Sequence, residues 1–239
     1  MNAEGKNAVL EALKSDITVD ALLVEKGKDN DLIALAKKQG IKVQFVEKAV
    51  LDKISVTKNH QGFIAKTSEF EYCAPDDITD AAKAKGEDVF VVLLDGIEDP
   101  HNLGSIIRVC ECAGVHGIII PKHRAAAVNE TVLRVSAGAA QHIKIARVTN
   151  INNAVEDLKR KGIWVYCADT EGASVHQTDL KGGIALVIGS EGAGISRLTK
   201  QLCDFTIALP IKGKVNSLNA AAACSALVYE AVRQRSAPK

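Results

Sequence analysis

The sequence predicts an α/β protein whose larger part is a mostly parallel sheet covered by helices on both faces. Three observations carry this. Short apolar runs such as Phe90–Leu94, Gly117–Ile120 and Ile184–Ile188 read as strands buried on both faces. Amphipathic segments alternate with them in βαβα order. Three runs lead into polar loops rich in glycine or marked by proline, where open α/β sheets place their ligands.

Residues 1 to about 70 read as a smaller α/β unit. Asn7 can cap a helix carrying Val9, Leu10 and Leu13, and Ala21–Val24 is a short strand. Asp31 can cap a helix through Leu32, Ile33, Leu35 and Ala36 that closes at Lys37, Lys38 and Gly40. Lys42–Val46 reads as a strand, Leu51 and Ile54 suit a short helix, and Phe63–Lys66 reads as another strand. Lysines recur here, at 26, 28, 37, 38, 48, 53, 58 and 66, as a footprint for phosphates or as a solvated face.

Residues 74–87, APDDITDAAKAKGE, are polar and fit a linker or a short surface helix. Domains are therefore expected at 1–75 and 88–239, with a linker over 76–87. In the second part, Phe90–Leu94 leads to a helix over 102–113 capped by Asn102. Gly117–Ile120 follows, stopped by Pro121, then a helix from Asn129 to Ser136. Ile143–Val148, a helix from Asn152 to Lys161, Trp164–Cys167 and Ile184–Ile188 continue the alternation, and a helix spans Ser196–Gln201. Last come a strand over Thr206–Leu209, stopped by Pro210, and a helix starting near Leu218 with Asn216 and Ser217 as caps. Its first turns, Asn219-Ala220-Ala221-Ala222-Ala223, are small enough for a backbone or a flat ligand to come close. Tight packing with nothing bound would also explain them.

The 239 residues allow one large domain or two modest ones, and 47% hydrophobic with 25% charged residues is ordinary for a globular chain. No apolar run is long enough to cross a bilayer, and MNAEGKNAVLEAL lacks the apolar core of a signal peptide, so a cytoplasmic protein is expected. A formal charge of +1 excludes a uniformly basic surface, so any nucleic-acid partner needs a local patch. The six cysteines form no CxxC pair and the six histidines lack ligand spacing, so no metal site is expected.

Two further loops at strand ends carry candidate chemistry. Asp95 to Gly104 runs into a helix bearing Arg108, a cation close to a helix start, where it suits holding a phosphate or pairing with Glu111 or Asp99. Ile188 to Ser196 contains Gly189, Gly192 and Gly194, which permit close backbone approach, and Glu191, which can orient a ligand or a neighbouring loop. It is neither a Walker loop nor a dinucleotide fingerprint. A nucleotide-dependent oxidoreductase therefore has little support.

Taken together, LDGIEDPHNLGSIIRVCECAGV, LVIGSEGAGIS and IALPIKGKVNSLNAAAA resemble, in order and spacing, the three motifs of the SpoU (TrmH-like) RNA ribose 2′-O-methyltransferases of the SPOUT class. The first part, with EGKNAVLEAL and NHQGFIA, is similar to that family's ribosomal-protein-L30-like substrate-binding domain. The resemblance implies a parallel-sheet catalytic domain with a C-terminal trefoil knot, a homodimer, and S-adenosylmethionine as cofactor. It implies an RNA substrate, most often a guanosine of 23S rRNA for this two-domain layout, and neither DNA nor a membrane as partner. A tRNA substrate, or a non-enzymatic RNA-binding role in ribosome assembly, is the alternative.

By resemblance, Asn102, Arg108, Glu191, Ser217 and Asn219 serve the reacting centre, and Gly189, Leu209, Leu218, Gly194 and Pro210 the cofactor. A free guanidinium does not yield its proton near neutral pH. Arg108 is accordingly read as holding the substrate phosphate and relaying the proton while so held. One departure is Ala221, where family members commonly carry serine.

Overall fold

The structure, a computed structural model, describes residues 2–14, 18–68 and 70–236. The chain divides into two compact units, Met1–Glu71 with Ala127–Glu130, and Tyr72–Ala126 with Thr131–Lys239.

The first unit holds a four-stranded sheet in the order β1-β4-β2-β3, with β1 at Asn2–Glu4, β2 at Thr18–Glu25, β3 at Lys42–Val46 and β4 at Phe63–Ser68. Helices α1 (Lys6–Lys14) and α2 (Asp31–Lys38) bury Val9, Leu13, Leu32 and Ile33 against Leu22, Val24 and Phe63. Helix α3 (Lys48–Ile54) puts Leu51 against Leu23 and Ile64, the alternate residues of the same strands. Strand β1, absent from the sequence reading, is only three residues long. It ends at Glu4, whose carboxylate accepts bonds from Ser55 Oγ at 2.8 Å, Val56 N at 2.7 Å and Thr57 N at 3.0 Å, and from Thr57 Oγ1. Burial pushes this carboxyl up, but the bonds from Thr57, Val56 and Ser55 outweigh it and bring it down to about 2. Helix α1 begins one residue before Asn7, and α2 is capped by Asn30, which accepts from Leu32 N at 3.1 Å, rather than by Asp31.

The second unit is built on a six-stranded sheet in the order β10-β8-β9-β5-β6-β7, every pairing parallel. Its strands are β5 (Phe90–Asp95), β6 (Gly117–Pro121), β7 (Lys144–Val148), β8 (Trp164–Ser174), β9 (Ile184–Gly189) and β10 (Phe205–Ala208). Alternation sends Val91, Leu93, Ala185 and Val187 to one face. There they meet Ile78 of α4 (Pro75–Ala84) and Val155 and Leu158 of α7 (Ile151–Arg160). The cover on that side continues through Leu202 and Cys203 at the end of α8 (Arg197–Leu202). The intervening Val92, Leu94 and Ile188 are equally buried. Helices α5 (Pro100–Cys112) and α9 (Ala220–Ser236) pack together and bury Ile106, Ile107, Leu227 and Val228. Gly104 of α5 has no room for a side chain, since a Cβ there would stand 2.7 Å from Val135 of α6 (Glu130–Val135). All six cysteines are free, with Cys110, Cys167 and Cys224 buried and Cys112 exposed. No helix among the described residues is long and apolar enough to cross a membrane.

In the second unit the structure corrects or decides four further readings. Of the linker and the short surface helix that residues 74–87 fit, the structure forms the helix: α4 takes most of 76–87, started by Pro75 and by Ala74 N donating to Asp77 at 2.8 Å. Its Ile78 fills the place a side chain on Gly117 would take, a burial that stabilises by about 1.5–3 kcal/mol. Helix α5 is capped by Asp99, which accepts from His101 N at 3.0 Å, with Pro100 in its first turn; Asn102 is not the cap. Helix α7 begins at Ile151, one residue before the expected Asn152, and is capped by Asn150. Helix α9 begins at Ala220, so Asn216 and Ser217 lie before its cap. In α5, α7 and α9 a short polar side chain nearer the first free N–H groups takes the position.

Candidate active site

Strands β5, β9 and β10 deliver three loops to the carboxyl edge of the second unit's sheet. Asp95 pairs in register with Gly189, so the first two loops leave the sheet side by side. Gly189 is required there, because a Cβ would run into the backbone of Gly194 and Ile195. Ser190 N donates to Gly194 O at 3.1 Å and Gly194 N to Ser190 O at 3.0 Å, closing a tight loop with Gly194 at φ 67°. Ser196 N donates to Asp95 Oδ2 at 2.9 Å and fastens this loop to the end of β5.

Released from capping, Asn102 sits in the first turn of α5 and donates from Nδ2 to Glu191 Oε1 at 2.8 Å. Asn219 caps α9, its Oδ1 accepting from Ala221 N at 2.9 Å and Ala222 N at 3.2 Å. Its Nδ2 donates to Asn102 Oδ1 at 2.9 Å and also to Glu191 Oε1. A carboxylate only accepts, so Glu191 fixes which way both amides face. Three predicted residues from three loops thus form one hydrogen-bonded cluster.

Beside it lies a cleft of about 440 Å³, walled by Gly189, Glu191, Gly194, Leu209, Ser217 and Leu218 among others. Ala220 and Ala223 at the start of α9 leave it room. Apolar Ile188, Ile207 and Leu227 alternate with open backbone edges, as suits a ligand with a flat ring system and a polar tail. Pro210 does not line this cleft. It lines an adjoining hollow of about 500 Å³ with Gly213, Lys214 and Val215. Arg108 lines neither; it is exposed on α5, and it pairs with no described residue, Glu111 and Asp99 included.

The sequence reading missed one wall of the cleft. Thr206 pairs with Cys167 but Ile207 pairs with Ala173, so residues 168–172 are pushed out of β8. Ala168, Asp169 and Thr170 of that excursion line the cleft. Gly172 lets it fold back, since a Cβ would stand 2.7 Å from the backbone of Ile207. Lys200 Nζ bonds Asp169 Oδ2 at 2.8 Å and holds its carboxyl below the usual range. The polar run Asp169-Thr170-Glu171-Gly172 after an apolar strand was the available signal. Among the described residues no group of three or more His, Cys, Asp or Glu could hold a metal ion.

Residues 89–229 match the SpoU rRNA methylase family, and residues 3–73 match a domain described as RNA 2′-O ribose methyltransferase substrate binding. A Bacillus subtilis protein, YacO, assigned to the TrmH family of tRNA/rRNA methyltransferases, is 48% identical over 97% of this chain and 94% of its own length. Among solved structures, the SpoU methyltransferase AviRb of Streptomyces viridochromogenes in complex with AdoMet is similar over 98% of this chain and 90% of its own, at 29% identity and TM-score 0.61. An AdoMet-bound rRNA methyltransferase of Sinorhizobium meliloti covers 97% of this chain and 86% of its own, at 25% identity and TM-score 0.59. A structure describing 2-OH methylation of C/U34 on tRNA covers 62% of this chain and 96% of its own, at 25% identity and TM-score 0.55.

Proposed function

The chain belongs to the SpoU (TrmH) family of S-adenosylmethionine-dependent RNA methyltransferases, and from that premise we propose that it methylates a ribose 2′-hydroxyl, that of a guanosine in 23S rRNA. The observation that carries this is the Asn102–Glu191–Asn219 cluster standing at the rim of a cleft of the right size and lining. The cleft fits the cofactor: the place a Cβ on Gly189 would need is already taken by the loop backbone, and the wall offers apolar side chains to a ring and backbone groups to a polar tail. S-adenosylmethionine supplies a methyl group made electrophilic by its sulfonium. Gly189, Gly194, Leu209 and Leu218 hold it, and Pro210 shapes the loop from its other side.

The remaining residues position the acceptor, which is where most of the rate gain in such a transfer arises. Asn102 and Asn219, locked by Glu191, orient the ribose. Ser217, exposed in the cleft wall, offers a hydroxyl to the cofactor's side of the reacting centre. Arg108 holds the phosphate next to the target and, while so held, gives one N–H proton to solvent water as it takes up the 2′-hydroxyl proton, so that it ends as it began. The first domain binds RNA by shape and by phosphate contact. Lys26 is paired with Glu47, Lys28 with Glu25, and Lys58 donates to Asp52 O. Lys37, Lys38, Lys48, Lys53 and Lys66 are exposed and carry that contact. The homodimer, the C-terminal knot and the cytoplasmic setting belong to the same reading.

The choice of rRNA is supported by layout, because the Sinorhizobium meliloti rRNA enzyme matches both domains and the tRNA structure only 62% of the chain. Labelled S-adenosylmethionine with 23S rRNA and tRNA transcripts tests it. We expect label in 23S rRNA, at one nucleotide whose following phosphodiester resists alkali. Label confined to tRNA would overturn the substrate, and alkali-labile label would overturn the 2′-oxygen.

A further inference from the structure

Among the described cations at the sheet's carboxyl edge that the motif residues leave without a role, Arg124 is set apart by its backbone. Arg124 stands in the loop after β6, and β6 is the neighbour of β5, Leu93 pairing with Ile119. Adjacent strands run about 4.8 Å apart, so this loop emerges directly beside the one that carries Asn102. The two are joined: Ala126 N donates to Ile97 O at 2.7 Å. The other end of the loop is pinned to β7, where Lys122 N donates to Val148 O at 2.8 Å and Arg147 Nη2 to Lys122 O at 3.1 Å. Between these fixed points Arg124 has φ 55°, a left-handed conformation that costs a side-chain-bearing residue and costs glycine nothing. Its side chain is exposed and bonds no described residue. It thus adds no hydrogen bond or ion pair to the loop, and its backbone conformation would suit glycine better.

A guanidinium held out on a rigid, doubly anchored loop matches one class of ligand at this edge, a phosphodiester. We infer that Arg124 is a second phosphate-holding arginine of the RNA site, gripping the substrate backbone beside the nucleotide presented to Asn102, Glu191 and Asn219. Arg108 on α5 and Arg124 on the neighbouring loop then hold the RNA at two points, and the nucleotide between them is fixed in orientation as well as in place. This inference rests on the RNA-methyltransferase reading above.

Arg124→Gly separates the side chain from the fold. The variant should melt at or above the wild-type temperature, because glycine relaxes the backbone. It should bind S-adenosylmethionine within about twofold of wild type, since Arg124 lies outside the cofactor cleft. Its dissociation constant for a 23S rRNA transcript should rise roughly 10-fold, and the slope of log affinity against log salt should fall by about 0.7–0.9, one phosphate contact. Arg124→Lys should restore the slope and only part of the affinity. If the wild-type protein methylates RNA and Arg124→Gly matches it in affinity and slope, the inference alone is overturned. If the wild-type protein binds no RNA, the inference falls together with the reading beneath it.

Discussion

Glu4 and Glu191 each gather several hydrogen bonds, to opposite ends. The donors to Glu4 come from three consecutive residues, 55–57, and the bonds tie that one segment of the first unit to the end of β1. The donors to Glu191 are side chains 89 and 28 residues away, each on its own loop at the edge of the second sheet. A carboxylate that clamps a single backbone segment contributes to stability. A carboxylate that aligns two otherwise independent amides contributes geometry, and geometry at a strand's carboxyl edge is what catalysis by positioning needs.

The largest expected effect comes from breaking the second arrangement. Asn219→Ala should lower turnover at saturating RNA and cofactor by about 10²-fold or more and cost about 1 kcal/mol of stability through the lost cap. Asn219→Asp keeps an acceptor for Ala221 N and Ala222 N but sets a carboxylate against Glu191. It should recover the stability and not the turnover. Single-turnover rates and thermal melts of both variants check this; equal turnover in Asn219→Asp and wild type would make Asn219 a cap alone.

Arg108 sharpens the comparison, because it has no structural partner to lose. Arg108→Lys should leave the melting temperature unchanged and reduce turnover about 10-fold or more, the planar fork being replaced by a point charge. Near-normal turnover in that variant would remove the fork from the mechanism.

The smallest effect on chemistry belongs to the clamp. Glu4 is held at about 2 in the folded unit against an ordinary value of about 4.3 in the unfolded chain. A depressed folded value means stabilisation that is present above the unfolded value and lost as pH falls toward the folded one. Glu4→Gln should therefore shift the urea midpoint at neutral pH, shift it less as pH falls from about 4 toward 2, and leave the single-turnover rate of bound RNA unchanged. A midpoint difference independent of pH would show that the bonds to Thr57 and Ser55 do not depend on charge.

Much of this molecule was legible in its residues. Continuous apolar runs placed β5, β6 and β9 within a residue of their observed bounds, because strands buried on both faces leave no polar position to confuse the pattern. Helix starts were harder. Asp99 and Asn102, or Asn216, Ser217 and Asn219, all have side chains able to cap, and only the path of the backbone decides among them. That decision mattered, since it freed Asn102 to reach Glu191 and gave Asn219 two tasks. The polar surface of α4 hid a helix whose buried stripe is Ile78, Thr79 and Ala82 alone. The excursion at 168–172 left no periodic trace, because it is set by where β10 re-enters the sheet.

The parallel pairing of the central strands also orders the protein's assembly in time. Phe90 of β5 finds its partner at Ile184 of β9, across about two fifths of the chain. A nascent polypeptide emerging from the ribosome cannot close that pair until β9 has been synthesised, and loop closure over such a distance is slow. The cluster of Asn102, Glu191 and Asn219 comes later still, once Asn219 has been added. Every growing intermediate therefore carries the exposed lysines of the first unit well before it carries that cluster.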